Sequence, residues 1–381
     1  MRSFRLLTAL AATALLVGCS SLDVLNPFST PAPKMAPLPE FKPSASLTPV
    51  WSAKIGEAEI YRFEPAVIDA DVIAAGAAGD VARFAGGQSR WRVRIDGGLT
   101  AGVGADADLA VVANGAGEVI ALDAGSGAER WRAKVNAEVL AAPGVAKDFV
   151  VVRSSDNRVF GLDRKDGALK WTYRRTTPAL TLRNPSGMLL ENNVAVLASP
   201  GGKLAASDLN NGGLIWELSV ALPAGATELE RIADVVGDPV LHRQTLCAAA
   251  FQGRVSCFDV TNGKTLWSRP VSARGGMSRD VRQVYVTEDS DAVAALDAFS
   301  GASMWRQDQL ARRILTAPLA TSAGVVVGDT EGYVHLLSLD NGAFIGRAQT
   351  DSSGIAVAPR ALGELVLVQT RAGGIHVFQP R

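Results

Sequence analysis

All seven tryptophans of the 381-residue chain fall on one lattice: Trp51, Trp91, Trp131, Trp171, Trp216, Trp267 and Trp305, at spacings of 40, 40, 40, 45, 51 and 38. So regular a series marks an internal repeat, and a repeat near 40 residues restricts the fold more than any composition could. In "GEVIALDAGSGAERW", starting at Gly117, Val stands two residues on, Leu five, Asp six, Gly ten and Trp fourteen. The pattern returns from Asn157, Gly202, Gly253 and Asp291. A copy from Gly332 has Gly346 in place of Trp, one from Gly79 has a shortened second turn, and one from Gly373 is cut off by the C-terminus. The copies number eight.

Each copy starts with Gly, Asn or Asp, the residues that tolerate a left-handed backbone in a tight hairpin. Pro65, Pro143, Pro239, Pro318 and Pro359 stand fourteen residues upstream, suiting strand starts that need no ladder donor. The unit therefore reads as four antiparallel strands, the fourth headed by Trp. Runs such as "VIAL" and "LAVVA" are apolar on both faces, as in a sheet packed between two others. The C-terminal copy lacks a Trp-headed strand, and "TPVWSAKIG" at the N-terminal end supplies one. The fold expected is all-β: an eight-bladed β-propeller over 49–381, closed by the N-terminal strand in the last blade. A linear solenoid would leave Trp51 and the truncated copy unexplained. Each Trp is expected to fill the gap between neighbouring blades.

The segment before the repeats has a different character. "MRSFR" followed by a short apolar run and "LVGC" reads as a signal peptide over 1–19 and resembles the lipobox of bacterial lipoproteins. That resemblance implies that Cys19 is lipidated, and Ser20 after it implies an outer-membrane anchor facing the periplasm. Residues 20–48, rich in Pro, are expected to form an extended flexible tether reaching up to roughly 90 Å. Formal charge is zero, and without 1–19 there remain 36 cationic and 38 anionic side chains. With no basic excess, nucleic acid is excluded as a partner. Cys247 and Cys257 lie on two arms of one hairpin, where a one-residue slip decides whether they meet. Two buried thiols are expected.

The Ala-x-Asp-x-x-x-Gly-x-x-x-Trp spacing also resembles the repeat of quinoprotein dehydrogenases, propellers that bind pyrroloquinoline quinone with calcium. That family commonly carries adjacent cysteines, and this chain has none. Asp123, Asp163, Asp208, Asp259 and Asp297 recur at one position in five of the eight units, which is the mark of a turn residue and not of a catalytic base. His335, His376 and His242 read as strand residues. No catalytic, cofactor-binding or metal-binding residue is expected.

The repeat lengthens twice, at 174–188 and 220–239. Insertions are where repeat proteins often place function. Leu180 and Leu182 beside Arg183 suit a protein interface, and an inner strand with buried leucines fits equally well.

The lipobox, the Pro-rich segment with "KMAPLP", the eight units, "ALTLR" (179–183), "GDTEGYVH" (328–335) and "DSSG" (351–354) together resemble the BamB family, lipoproteins of the outer-membrane β-barrel assembly machinery. The resemblance implies a non-enzymatic scaffold that binds the periplasmic POTRA domains of BamA and assists insertion of outer-membrane proteins. It carries the BamA-contacting positions over to Leu180, Leu182, Arg183 and Asp234, with Arg183 and Asp234 as charges that orient the complex. A second acidic position of the family is Val236 here. A quinone-dependent dehydrogenase and a different envelope adaptor are the alternatives.

Overall fold

The structure, a computed structural model, describes residues 34–183 and 187–381. The expected signal peptide, Cys19 and most of the expected tether lie outside the described residues. The chain divides into a unit Met1–Met35 and a unit Ala36–Arg381. Among its described residues the second unit contains 32 strands in eight four-stranded antiparallel sheets.

Seven sheets are sequential: blade 1 at 66–94, then 101–134, 144–173, 188–219, 235–269, 273–307 and 319–349. Blade 8 combines three C-terminal strands, Arg360–Leu362, Leu365–Gln369 and Gly374–Pro380, with the closing strand Leu47–Lys54. Closure runs from Leu47 opposite Pro380 to Lys54 opposite Gly374. The innermost strands touch in cyclic order, with that of blade 8 against that of blade 1, so the ring is complete. The result is an eight-bladed β-propeller. Its middle strands are apolar on both faces because each blade is covered by two others: Val119–Leu122 is buried throughout.

The repeated Asp, Gly and Trp form one device. Asp123 accepts hydrogen bonds from the Ser126 N–H and hydroxyl, both at 2.8 Å. Gly127 closes the turn with φ of 76°, and a Cβ there would stand 2.6 Å from the Trp91 ring of the preceding blade. Trp91 Nε1 then donates to the carbonyl of Ala124, the residue after the Asp, at 2.9 Å. The same bond runs from Trp131 to Arg164, Trp171 to Leu209, Trp267 to Ala298 and Trp305 to Leu339. Each blade is thus keyed to the turn of the next. Trp51 and Trp216 are half-buried in the gaps and make no such bond among the described residues.

Two details depart from expectation. Cys247 and Cys257 form a disulfide instead of two thiols. The hairpin register sets them directly opposite one another, with Cα atoms 4.1 Å apart. The second departure is at the N-terminal side. The segment expected to be free up to residue 48 is bonded to the propeller from Ala36 onward, where Ala36 N–H donates to the Ala311 carbonyl at 3.0 Å.

Antiparallel order gives the ring two distinct faces. The linkers between blades and the middle hairpins leave on one, here called the linker face. The Asp-Gly turns leave on the other.

Candidate partner-binding face

Both insertions are linkers between blades, so both lie on the linker face. The first spans 174–187 between blades 3 and 4, and the second spans 220–234 between blades 4 and 5. Residues 179–183 are loop and not inner strand. Leu180, Thr181 and Leu182 alternate as a strand would, but Pro178 removes a ladder donor and the Leu182 N–H is taken by the Asp234 carboxylate instead of a neighbouring strand.

The four carried-over residues are brought together but differ in what they present. Leu180 is 46% exposed. Arg183, with a 70% exposed side chain, pairs with Glu138 of the preceding linker at 2.8 Å. Leu182 is half-buried against the core between blades 5 and 6. Asp234 is 3% exposed, which corrects its expected role as an orienting surface charge. Its carboxylate accepts the Leu182 N–H at 2.6 Å and the Gly201 N–H at 2.9 Å. A buried carboxylate needs such donors to offset lost hydration. Asp234 is therefore the peg on which the first insertion hangs. Val236, two residues on, is buried in the core between blades 5 and 6; at a position packed in this way a charge would have no water.

The second insertion exposes Leu222 (72%) and Leu229 (66%). Sequence reasoning missed both, since single leucines in a polar stretch carry no periodic signal. It also missed Ile60, in the linker from blade 8 to blade 1. A hollow of about 490 Å³ on the linker face is lined by Ile60, Tyr61, Leu140, Leu182, Arg183 and Phe251. It gathers residues from four blade boundaries around the exposed end of the first insertion.

Inside the ring lies a cavity of about 630 Å³ that includes Arg62, Glu64, Asp238, Arg279 and Arg360 in its wall. The inner strand of blade 5 bulges between Val236 and Val240 and carries Asp238 toward the axis. Arg360 of blade 8 pairs with Glu64 beside blade 1 and stands 3.7 Å from Asp238. Blades 1 and 5 are opposite one another, so this triad is a strut across the channel. Enclosure by the inner strands, with Glu64 adding repulsion, pushes the Asp238 carboxyl up to about 6. Among the described residues no three His, Cys, Asp or Glu side chains stand together as metal ligands would.

A family model described as outer membrane protein assembly factor BamB matches residues 77–307. The assembly factor BamB of Burkholderia pseudomallei is 39% identical over 97% of this chain and 96% of its own. The crystal structure of BamB from Moraxella catarrhalis superposes with a TM-score of 0.82 at 28% identity, covering 87% of this chain and 99% of the other. Quinohemoprotein alcohol dehydrogenase from Comamonas testosteroni superposes at 0.70 with 14% identity, covering 87% and 76%; that likeness is one of fold. On this geometry and these matches, the chain belongs to the BamB family of outer membrane protein assembly factors.

Proposed function

We propose that this chain is a non-enzymatic scaffold of the machinery that assembles β-barrel proteins in the outer membrane. It is held on the periplasmic face by a lipid on Cys19 and docks on the POTRA domains of BamA through the linker face. The observation that carries this reading is Leu180, an exposed apolar side chain on a loop whose backbone is fixed by buried Asp234. A loop fixed before contact loses little entropy on docking. Leu180, Leu222 and Leu229 supply apolar contact, and Arg183 supplies charge steering at the rim.

The test is co-purification of BamA with the lipidated protein. Leu180→Ala combined with Arg183→Glu is expected to weaken the association at least tenfold. Asp234→Asn is expected to weaken it while leaving exposed groups unchanged. Full BamA recovery with the double variant would overturn the assigned surface.

A further inference from the structure

Residues 36–46 cross blade 7 from one face of the ring to the other. At the turn face, the Ser46 N–H donates to the Arg381 carbonyl at 2.8 Å, and the Ser44 and Ala45 N–H groups converge on the Ile345 carbonyl at 3.0 and 2.9 Å. Midway, the Phe41 ring lies 5.8 Å from that of Phe344, and the Arg347 guanidinium sits 4.9 Å above Phe41. Arg347 also donates to the Pro39 carbonyl at 3.0 Å. At the linker face, Arg313 donates to the Ala36 carbonyl at 3.0 Å. Arg313 is 1% exposed and is held by Asp329 at 2.7 Å and by Glu331.

The chemistry matches a Pro-rich strand. Pro37, Pro39 and Pro43 have no N–H to satisfy, the Ala36, Ser44, Ala45 and Ser46 N–H groups find main-chain acceptors, and two arginines meet the Ala36 and Pro39 carbonyls. Its extended shape is set in advance by proline, which lowers the entropy cost of seating it. The repeat itself makes room. Blade 7 alone has Gly where the seven other blades have the lattice Trp, and a Cβ on Gly346 would stand 3.2 Å from the Ala45 carbonyl oxygen.

We propose that residues 36–46 are a clasp that fixes where the N-terminal tether leaves the propeller, on the same linker face as the proposed BamA surface. About 17 residues then separate the clasp from Cys19, a reach of roughly 55 Å in extended form. The linker face is thereby held toward the anchoring membrane. This orientation rests on lipidation of Cys19; the clasp itself does not.

Hydrogen exchange of the full chain tests the clasp without lipid. The Ser44 and Ala45 amides are expected to be protected. Phe41→Ala with Arg347→Ala, and separately Gly346→Trp, are expected to speed their exchange at least tenfold while Val119–Leu122 stays protected. Exchange of both amides at the free-chain rate in the unaltered protein would overturn the proposal. For orientation, lipidated protein on vesicles with a headgroup-linked quencher is labelled at Leu222→Cys or at Phe299→Cys on the turn face. Stronger quenching at 222, lost in the clasp variants, is expected; equal quenching in the unaltered protein would overturn the orientation. Failure to associate with vesicles would refute the anchor and leave the exchange result to decide the clasp.

Discussion

At the scale of single residues, the repeat motif is a mechanical joint. Gly127 takes a backbone form that favours glycine and leaves no room for a Cβ under Trp91. Gly127→Ala is therefore expected to cost about 1–3 kcal/mol through overpacking and backbone strain, read as a lowered thermal midpoint. Asp238 is a joint of another kind. Its folded pKa lies above that of a free carboxyl, so the stability it contributes is complete below about pH 4 and is lost as pH rises through about 6. Asp238→Asn removes the ionising group. Its thermal midpoint relative to the unaltered protein is expected to be more favourable at pH 7.5 than at pH 5, and a pH-independent difference would count against a carboxyl raised by the channel.

At the scale of elements, the turns and hairpins govern response to acid and to reductant. Arg130 and Ser126 hold the Asp123 carboxyl down at about 2. Asp163, Asp259 and Asp297 are lowered by hydrogen bonds within their own turns. Stability from depressed carboxylates is present above the ordinary value near 4 and is lost as pH falls toward 2. In the Asp238→Asn background, where the channel carboxyl no longer titrates, thermal midpoints are thus expected to hold steady from pH 7 to 5 and drop below pH 4. In blade 5, replacing Cys247 and Cys257 by Ala opens a short loop and is expected to cost about 2–3 kcal/mol, measured by denaturant unfolding. The elements also show what was legible beforehand. Rhythm gave the strands, the turns and the closing partner, because each blade repeats the same local chemistry. Asp234 looked like surface charge because its two N–H donors come from residues 182 and 201, which only the folded ring brings to it. The cysteine pairing turned on a register that spacing left open, and the docking of 36–46 depended on arginines about 300 residues away.

At the scale of the whole molecule, the ring is held by one seam of main-chain bonds between its two ends. Deleting 49–56 removes most of the closing strand and leaves blade 8 with an open edge. Such a variant is expected to show a lowered thermal midpoint and concentration-dependent association in sedimentation; full thermal stability would refute closure as the source of ring integrity.

The seam has a temporal consequence. Leu47 is paired with Pro380, so the first strand of the propeller stays without its neighbour until the last one has been synthesised. Contacts of such long sequence separation form late. A chain that stops short anywhere in blade 8 leaves its opening strand unmatched, so the fold inspects its own length: only a finished polypeptide can become a ring.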